Sequence, residues 1–428
     1  MTDRQTETGY TSSRRQFVLG GLTAGAVALA GCVGDDDDDE ADEPETYEIW
    51  AADQGTHNIY VYEGEEGSDD FEHLETIDTY QDGDVGGLVP HMVHFTSDYE
   101  YAAVACTAGA RTLVYDTEEK SLVGNIETGA GSHFAGFTPD DDAIIVDVIG
   151  ESEIVRADAD LENEEFDIDD RIEVDESIGG LTEEEGAPIC HSWDQNGRSI
   201  HTLGPSYHDA GLLILDHDEF EVYEAFTGDE VPTNCGTMPH PDEEKFYLTA
   251  GLPSDPEEGV EGVGDYYVLD TADDAYDVSG PYSTEGIDAH GFWWTPDGEE
   301  LWVLNRETND GVIVDGDTDE VTEEIDSYIP GDNEKPDIMW ASPDGEWMFV
   351  TSRGPEPQSA AHVAEGDTPG FAVLDIETRE TVELIEPDPI DDYSQEELED
   401  DETLTPDFHG IGVRPVGEFD GEVGTPPY

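Results

Sequence analysis

The segment "VPHMVHFTSD" at residues 89–98 returns as "GSHFAGFTPD" at 131–140 and as "DAHGFWWTPD" at 288–297. Each copy sets a histidine, His91, His133 or His290, at the same offset before a small polar turn, and His409 in "DFHGIGVRP" repeats it. Cys235 and Asp337 hold the same offset in two further copies, and His94 and His191 lie close by. Neutral imidazoles, a thiolate and a carboxylate form a donor set suited to zinc or copper, whereas protonated imidazoles brought together would repel. A purely structural reading also stands: duplication would copy a histidine that merely suits the packing at the start of a strand.

What must position these residues is a repeat running from about Tyr47 to the end of the chain. Its unit is an apolar strand, a turn of the type "TPDG", a second apolar strand, a polar loop, a third strand ending in Asp and a fourth rich in Val, Ile and Thr. "HGFWWTPDGEELWVLNRETNDGVIVDGDTDEVTEEI" is the clearest copy, and "DIMWASPDGEWMFVTSRG" opens another. Pro presets φ for the tight turn and Gly tolerates positive φ there. First strands start near His91, His133, Ile189, Cys235, His290, Asp337 and His409, which makes seven copies. The last stops after one strand, and the first ordered segment, "YEIWAADQGTHNIYVYEGEEGSDDFEHLETID", supplies three. Chain ends that complete one another close a ring, so the spacing predicts an all-β, seven-bladed β-propeller with four-stranded blades over residues 47–428. Residues 386–408 read as an acidic insertion before the closing strand.

The pattern of His-Gly, the Ser/Thr-Pro-Asp-Gly turn and the aromatic second strand resembles the YVTN-type propeller repeat. That family is similar to the propeller of nitrous oxide reductase and to periplasmic metal-binding propellers. The resemblance covers essentially the whole mature chain and implies the fold. It does not imply one function, because propellers host enzymes, binders and scaffolds. In such a propeller the first strands line the central channel, so His91, His133, Ile189, Cys235, His290, Asp337 and His409 are expected to converge at one mouth. Loops between second and third strands open on the same face. They carry His57, His208 and His362 as candidate outer ligands, and Arg111, Arg306 and Arg353, which would either neutralise an acidic funnel or hold an anionic ligand. His73, His201, His217 and His240 fall elsewhere in the repeat and read as surface or structural residues.

The chain has 428 residues with 110 acidic and 14 basic side chains, a formal charge of -96. Such a surface suits very high salt and makes nucleic acid and anionic membrane surfaces poor partners. Thirty-six per cent of the residues are hydrophobic, enough for a core and against a disordered acidic chain.

Residues 12–32, "SSRRQFVLGGLTAGAVALAGC", pair Arg14 and Arg15 ahead of an apolar run too short to span a bilayer. They resemble a Tat signal ending in a lipobox, as in lipoproteins of salt-loving archaea, with residues 1–31 removed and Cys32 lipidated. Residues 32–46 read as an acidic tether. The expected location is the outer face of the cytoplasmic membrane, held there by the Cys32 anchor. Cys106, Cys190 and Cys235 then remain. Cys190 and Cys235, near the starts of neighbouring first strands, suit a disulfide or a thiolate ligand, and Cys106 reads as a packed second-strand residue.

Three classes of function follow. The first is a monomeric, lipid-anchored metal-binding protein, resembling propeller metallochaperones that hold zinc or copper for a transporter or cuproenzyme. The second is a propeller enzyme of lactonase or copper-oxidase type, although neither full motif is present, and the third is a surface scaffold. A nucleophile elbow, a phosphate-cradling loop and a CxxCH haem motif are all absent from the sequence.

Overall fold

The computed structural model describes residues 45–416 except 83–85, 176–177, 179–180, 182–185, 205–209, 218, 273–275, 360 and 388–404. The twin arginines, Cys32, tether residues 32–44, His208 and most of the 386–408 insertion lie outside the described residues, and Thr46, read as tether, already begins the strand Thr46–Asp53.

Seven four-stranded antiparallel sheets form the blades of a β-propeller. Their innermost strands, blades 1 to 7 in chain order, are Pro90–Phe95, Ser132–Phe137, Ala187–Trp193, Thr237–Pro239, Ala289–Trp294, Pro336–Ala341 and Phe408–Val416. Each contacts the next, and the seventh contacts the first, so they close a ring. Second strands such as Ala143–Val148 (AIIVDV) and Trp347–Ser352 (WMFVTS) are buried at every position, because a neighbouring blade covers each face. Outermost strands such as Glu165–Glu173 face solvent and carry the acids.

Ring closure is a joint product of the two chain ends. Phe408–Val416 pairs antiparallel with Thr46–Asp53, placing Trp50 opposite Gly412. Beyond the strand, Asp53 Oδ1 accepts the Asp407 backbone N–H at 2.8 Å and Gln54 N–H donates to Asp407 O at 2.8 Å. The Ser/Thr-Pro-Asp-Gly turns are built as their residues require. Thr295 Oγ1 donates to Asp297 Oδ1 at 2.6 Å and Gly298 takes φ 70°, a conformation costly for a side chain.

One local irregularity recurs and sets the geometry of the axis. Pairing of the innermost with the second strand skips His91 in blade 1, His133 in blade 2, Ile189 and Cys190 in blade 3, and His290 and Gly291 in blade 5. It likewise skips Asp337 and Ile338 in blade 6 and His409 and Gly410 in blade 7. In blade 4, Cys235 and Gly236 immediately precede the paired strand. A bulge frees a residue from the ladder and re-aims its side chain, here from the interblade cores toward the axis. The following glycines permit the close approach of blades. A Cβ on Gly236, Gly291 or Gly410 would stand 2.4, 2.6 or 2.3 Å from the carbonyl oxygen of His290, Asp337 or His91, respectively, in the neighbouring innermost strand. The His-Gly pair is therefore an axial side chain followed by the contact point for the next blade.

Candidate metal centre

The bulges bring His91, His133, His290, His409, Asp337, Cys190 and Cys235 together around the axis. The Nε2 atoms of His91 and His133 are 2.9 Å apart, and the rings of His91 and His409 stack with centroids at 3.7 Å. His133 Nδ1 donates to Ile189 O at 3.0 Å, and His409 Nδ1 donates to His91 O at 3.1 Å. Those two bonds hold the ring protons on Nδ1. Nε2 of each neutral ring is left as a lone pair, the arrangement by which metal-bound imidazoles are oriented. Asp337 Oδ1 is 2.9 Å from His290 Nε2 and Asp337 Oδ2 is 3.6 Å from His409 Nε2.

The cluster is not an open mouth, as the sequence suggested; His91, His290 and His409 are no more than 3% exposed. Gln54 from blade 7 contacts His91 Nδ1. The Gln54 side-chain oxygen accepts from Ser359 Oγ at 3.0 Å and from Arg353 Nη2 at 3.4 Å. Arg353 and Arg306 do reach the axis, but each is bound to carboxylates. Arg353 Nη1 is 2.6 Å from Asp337 Oδ2 and its Nε is 2.8 Å from Asp407 Oδ1. Arg306 Nε is 2.8 Å from Asp288 Oδ2 and its Nη1 is 3.3 Å from Asp337 Oδ1. Three carboxylates (Asp288, Asp337 and Asp407) against two guanidiniums leave one negative charge in a buried region, which a cation would satisfy.

Burial, reinforced by neighbouring imidazoles, holds His91 well below the usual histidine range. Burial also dominates at His409 and lowers His133. These three rings are neutral at neutral pH and thus competent as ligands. At His290, burial and Arg306 oppose protonation, but Asp337 and Cys235 outweigh them and raise the imidazole to about 9. Burial would raise Asp337, yet His409, His290, Arg353 and Arg306 keep it well below the carboxylate range. Without a metal, the surplus negative charge is met by a proton on His290.

Other expected ligands are placed elsewhere. His94 Nδ1 accepts the Phe137 backbone N–H at 3.3 Å, so its ring proton sits on Nε2 and a neutral His94 offers no lone pair to a metal. His57 Nδ1 accepts the Val89 N–H at 3.1 Å and latches blade 7 to blade 1 instead of serving as an outer ligand. Arg111 donates to Asn125 Oδ1 at 2.6 Å and to Gly109 O at 3.0 Å, within its own blade. His362 lies on the short 3-10 turn Ala361–Ala364; its side chain is outside the described residues.

His191 belongs to a second buried group. His191 Nδ1 and His201 Nδ1 each lie 2.6 Å from a different oxygen of Asp147. His201 Nε2 continues to Ser199 Oγ at 2.5 Å and that hydroxyl to His217 Nε2 at 2.7 Å. Of the two readings offered for His201, the structural one fits: it is part of a stitch between blades 2 and 3. Its one sequence signal is Asp147 itself, the single charge within the apolar strand AIIVDV. Burial opposes ionisation of Asp147, but His201 and His191 hold it far below the ordinary range. His191 Nε2 is buried without a hydrogen-bond partner among the described residues. Two groups could hold a metal ion by proximity of donor atoms: His290, Asp337 and His409, and Asp147, His191 and His201. In the second, Asp147 already takes both Nδ1–H groups and His201 Nε2 is bonded to Ser199 Oγ, whereas in the axial group His409 keeps a bare Nε2 3.6 Å from Asp337 Oδ2.

No family model and no curated protein matches this chain. Solved structures do resemble it, at identities that speak for the fold alone. A protein from Lactobacillus plantarum superposes with a TM-score of 0.58 at 10% identity, over 86% of this chain and 99% of that one. A functionally unknown protein from Desulfotomaculum acetoxidans gives 0.56 at 12% identity, over 79% and 94%. Kuenenia stuttgartiensis hydrazine synthase gives 0.52 at 13% identity, over 70% and 91%. The class of protein is thus a seven-bladed β-propeller with buried His/Asp groups, one of them on its axis.

Proposed function

We propose that this protein binds a transition metal ion, zinc or copper, on the propeller axis, with ligands drawn from His91, His133, His409, Asp337 and His290. One observation carries the reading. His133 and His409, from separate blades, have Nδ1 pinned to backbone carbonyls, which leaves each a bare Nε2 in a buried space of surplus negative charge, and that of His133 faces His91 Nε2 at 2.9 Å. Tetrahedral ligand nitrogens about 2.05 Å from zinc stand roughly 3.3 Å apart, and the 2.9 Å between His91 and His133 is close to that spacing. The ion would take over the role of the His290 proton and release it.

The twin arginines and the "LAGC" ending at Cys32 support the further reading of an exported, lipid-anchored protein of the YVTN type. With a buried ligand set it would carry metal to a transporter or cuproenzyme. Elemental analysis of protein purified in high salt tests the metal. Near-stoichiometric zinc or copper is expected, and it should be lost when His91, His133, His290 and His409 are all changed to Ala. Metal-free protein that fails to take up either ion on titration would contradict the reading.

A further inference from the structure

Cys190 and Cys235 are not needed for the imidazole and carboxylate set, yet they lie beside it. Cys190 occupies the bulge of the blade 3 innermost strand, and Cys235 lies one residue, Gly236, before the innermost strand of blade 4. Their sulfurs are 2.7 Å apart and both residues are 4% exposed. Cys190 Sγ is also 3.7 Å from His133 Nδ1. Phe134 and Ile189 pack around the pair, with the thioether residue Met92 against the same cluster. Two thiolates sharing one zinc ion at about 2.3 Å each would hold their sulfurs roughly 3.8 Å apart, wider than observed here. The third described cysteine, Cys106, is enclosed in a different apolar cluster.

We propose that Cys190 and Cys235 form a reducible disulfide joining blades 3 and 4 at the axis, and that its redox state selects the class of metal the centre accepts. The metal part of the proposal rests on the reading above. In the disulfide form the centre offers imidazole and carboxylate, which suit zinc or copper(II). In the dithiol form it adds two sulfur donors with Met92 nearby, a soft set that suits copper(I). Oxidation needs a small disulfide as oxidant. Cys235, losing its proton, attacks one of its sulfurs and expels a thiolate, giving a mixed disulfide. Cys190, losing its proton, then attacks the Cys235 sulfur and expels the second thiolate. Two protein thiols are oxidised and one small disulfide is reduced to two thiols.

The test uses the full-length protein in high salt, treated with hydroxyethyl disulfide or with a phosphine reductant. Each sample is freed of reagent, denatured and alkylated, and its Cys190 and Cys235 peptides are read by mass spectrometry. The expected result is a linked peptide pair, 2 Da lighter than the sum of the two thiol peptides, that disappears on reduction. Alkylation of both residues after oxidant treatment would overturn the disulfide. Competition with bathocuproine disulfonate for copper(I) should show affinity at least 100-fold tighter for the reduced protein, with the gain absent in Cys235→Ser protein of unchanged circular dichroism. Equal copper(I) affinity in both redox states would overturn the selection. A linked pair in a protein that binds neither zinc nor copper would overturn the metal reading and leave the disulfide standing.

Discussion

His91 Nε2 and His133 Nε2 face each other across 2.9 Å, and only one of two occupants fits between them. His133 keeps its proton on Nδ1 for Ile189 O, so its Nε2 is bare. The gap then holds either a proton carried by His91 Nε2 or a metal ion bound by both. Gln54 selects between them. Its amide N–H against His91 Nδ1 requires the proton on Nε2. Its carbonyl there accepts an Nδ1–H and leaves Nε2 free for metal, at the cost of the bonds that Ser359 and Arg353 donate to that oxygen.

Gln54→Glu is therefore expected to favour metal, since a carboxylate can only accept from His91 Nδ1 and Arg353 remains within reach of it. Gln54→Met removes the orienting bond and should weaken zinc binding about 10–100-fold, the usual effect of losing an outer-shell partner. Chelator competition on both variants checks the opposite signs.

Asp337 is the carboxylate on which Arg306, Arg353, His290 and His409 converge. Asp337→Asn leaves Arg306, Arg353 and the protonated His290 facing a neutral amide in a buried site, and breaking such a network costs about 3–5 kcal/mol. Urea unfolding of metal-free protein at constant salt should show that loss. In Asp53→Asn the same experiment should also show a loss, because Asp53 holds the Asp407 and Thr56 backbone N–H groups where the ring closes.

Acid sensitivity has a defined source in His94. Burial, with a smaller contribution from His191, lowers its imidazole to about 3 from a reference of 6.5. The unfolded chain therefore binds the proton first. The stabilisation is complete above pH 6.5 and is lost as pH falls from 6.5 toward 3. Replacing His94 with Gln should flatten the unfolding free energy over that window, and equal slopes for the two proteins would contradict the assignment.

The closing strand has a structural and a chemical role together, because Phe408–Val416 completes blade 7 and supplies His409. Deleting residues 405–428 should abolish cooperative unfolding. His409→Gln should keep it and lose metal. Circular dichroism melts beside metal titrations separate the two.

The fold was legible because its signals are local and repeated: Pro-Asp-Gly turns, apolar second strands and chain ends that each supply part of one blade. The axial ring was legible from offset alone, since a residue copied at one position in every blade must return to one radius. Burial and partners were not. Nothing local to "VPHMVHFTSD" tells that His91 bulges toward the axis whereas His94 meets Phe137 N–H, because that difference depends on a skipped ladder position. Likewise, the Asp147–His201 bond joins residues 54 positions apart, and only blade packing reveals it. Arg306 and Arg353 were placed at the axis by their loops, but their partners Asp288 and Asp407 each directly precede an inner strand, Asp288 that of the same blade and Asp407 that of the next, and the sequence did not single them out.

Anomalous diffraction from crystals of the protein loaded with zinc, and separately with copper, tests the central claim most directly. The account predicts one strong peak on the propeller axis, within coordination distance of Nε2 of His91, His133 and His409. Metal-loaded crystals with no axial peak, and with His91 Nε2 still 2.9 Å from His133 Nε2, would show a proton in that gap and contradict it.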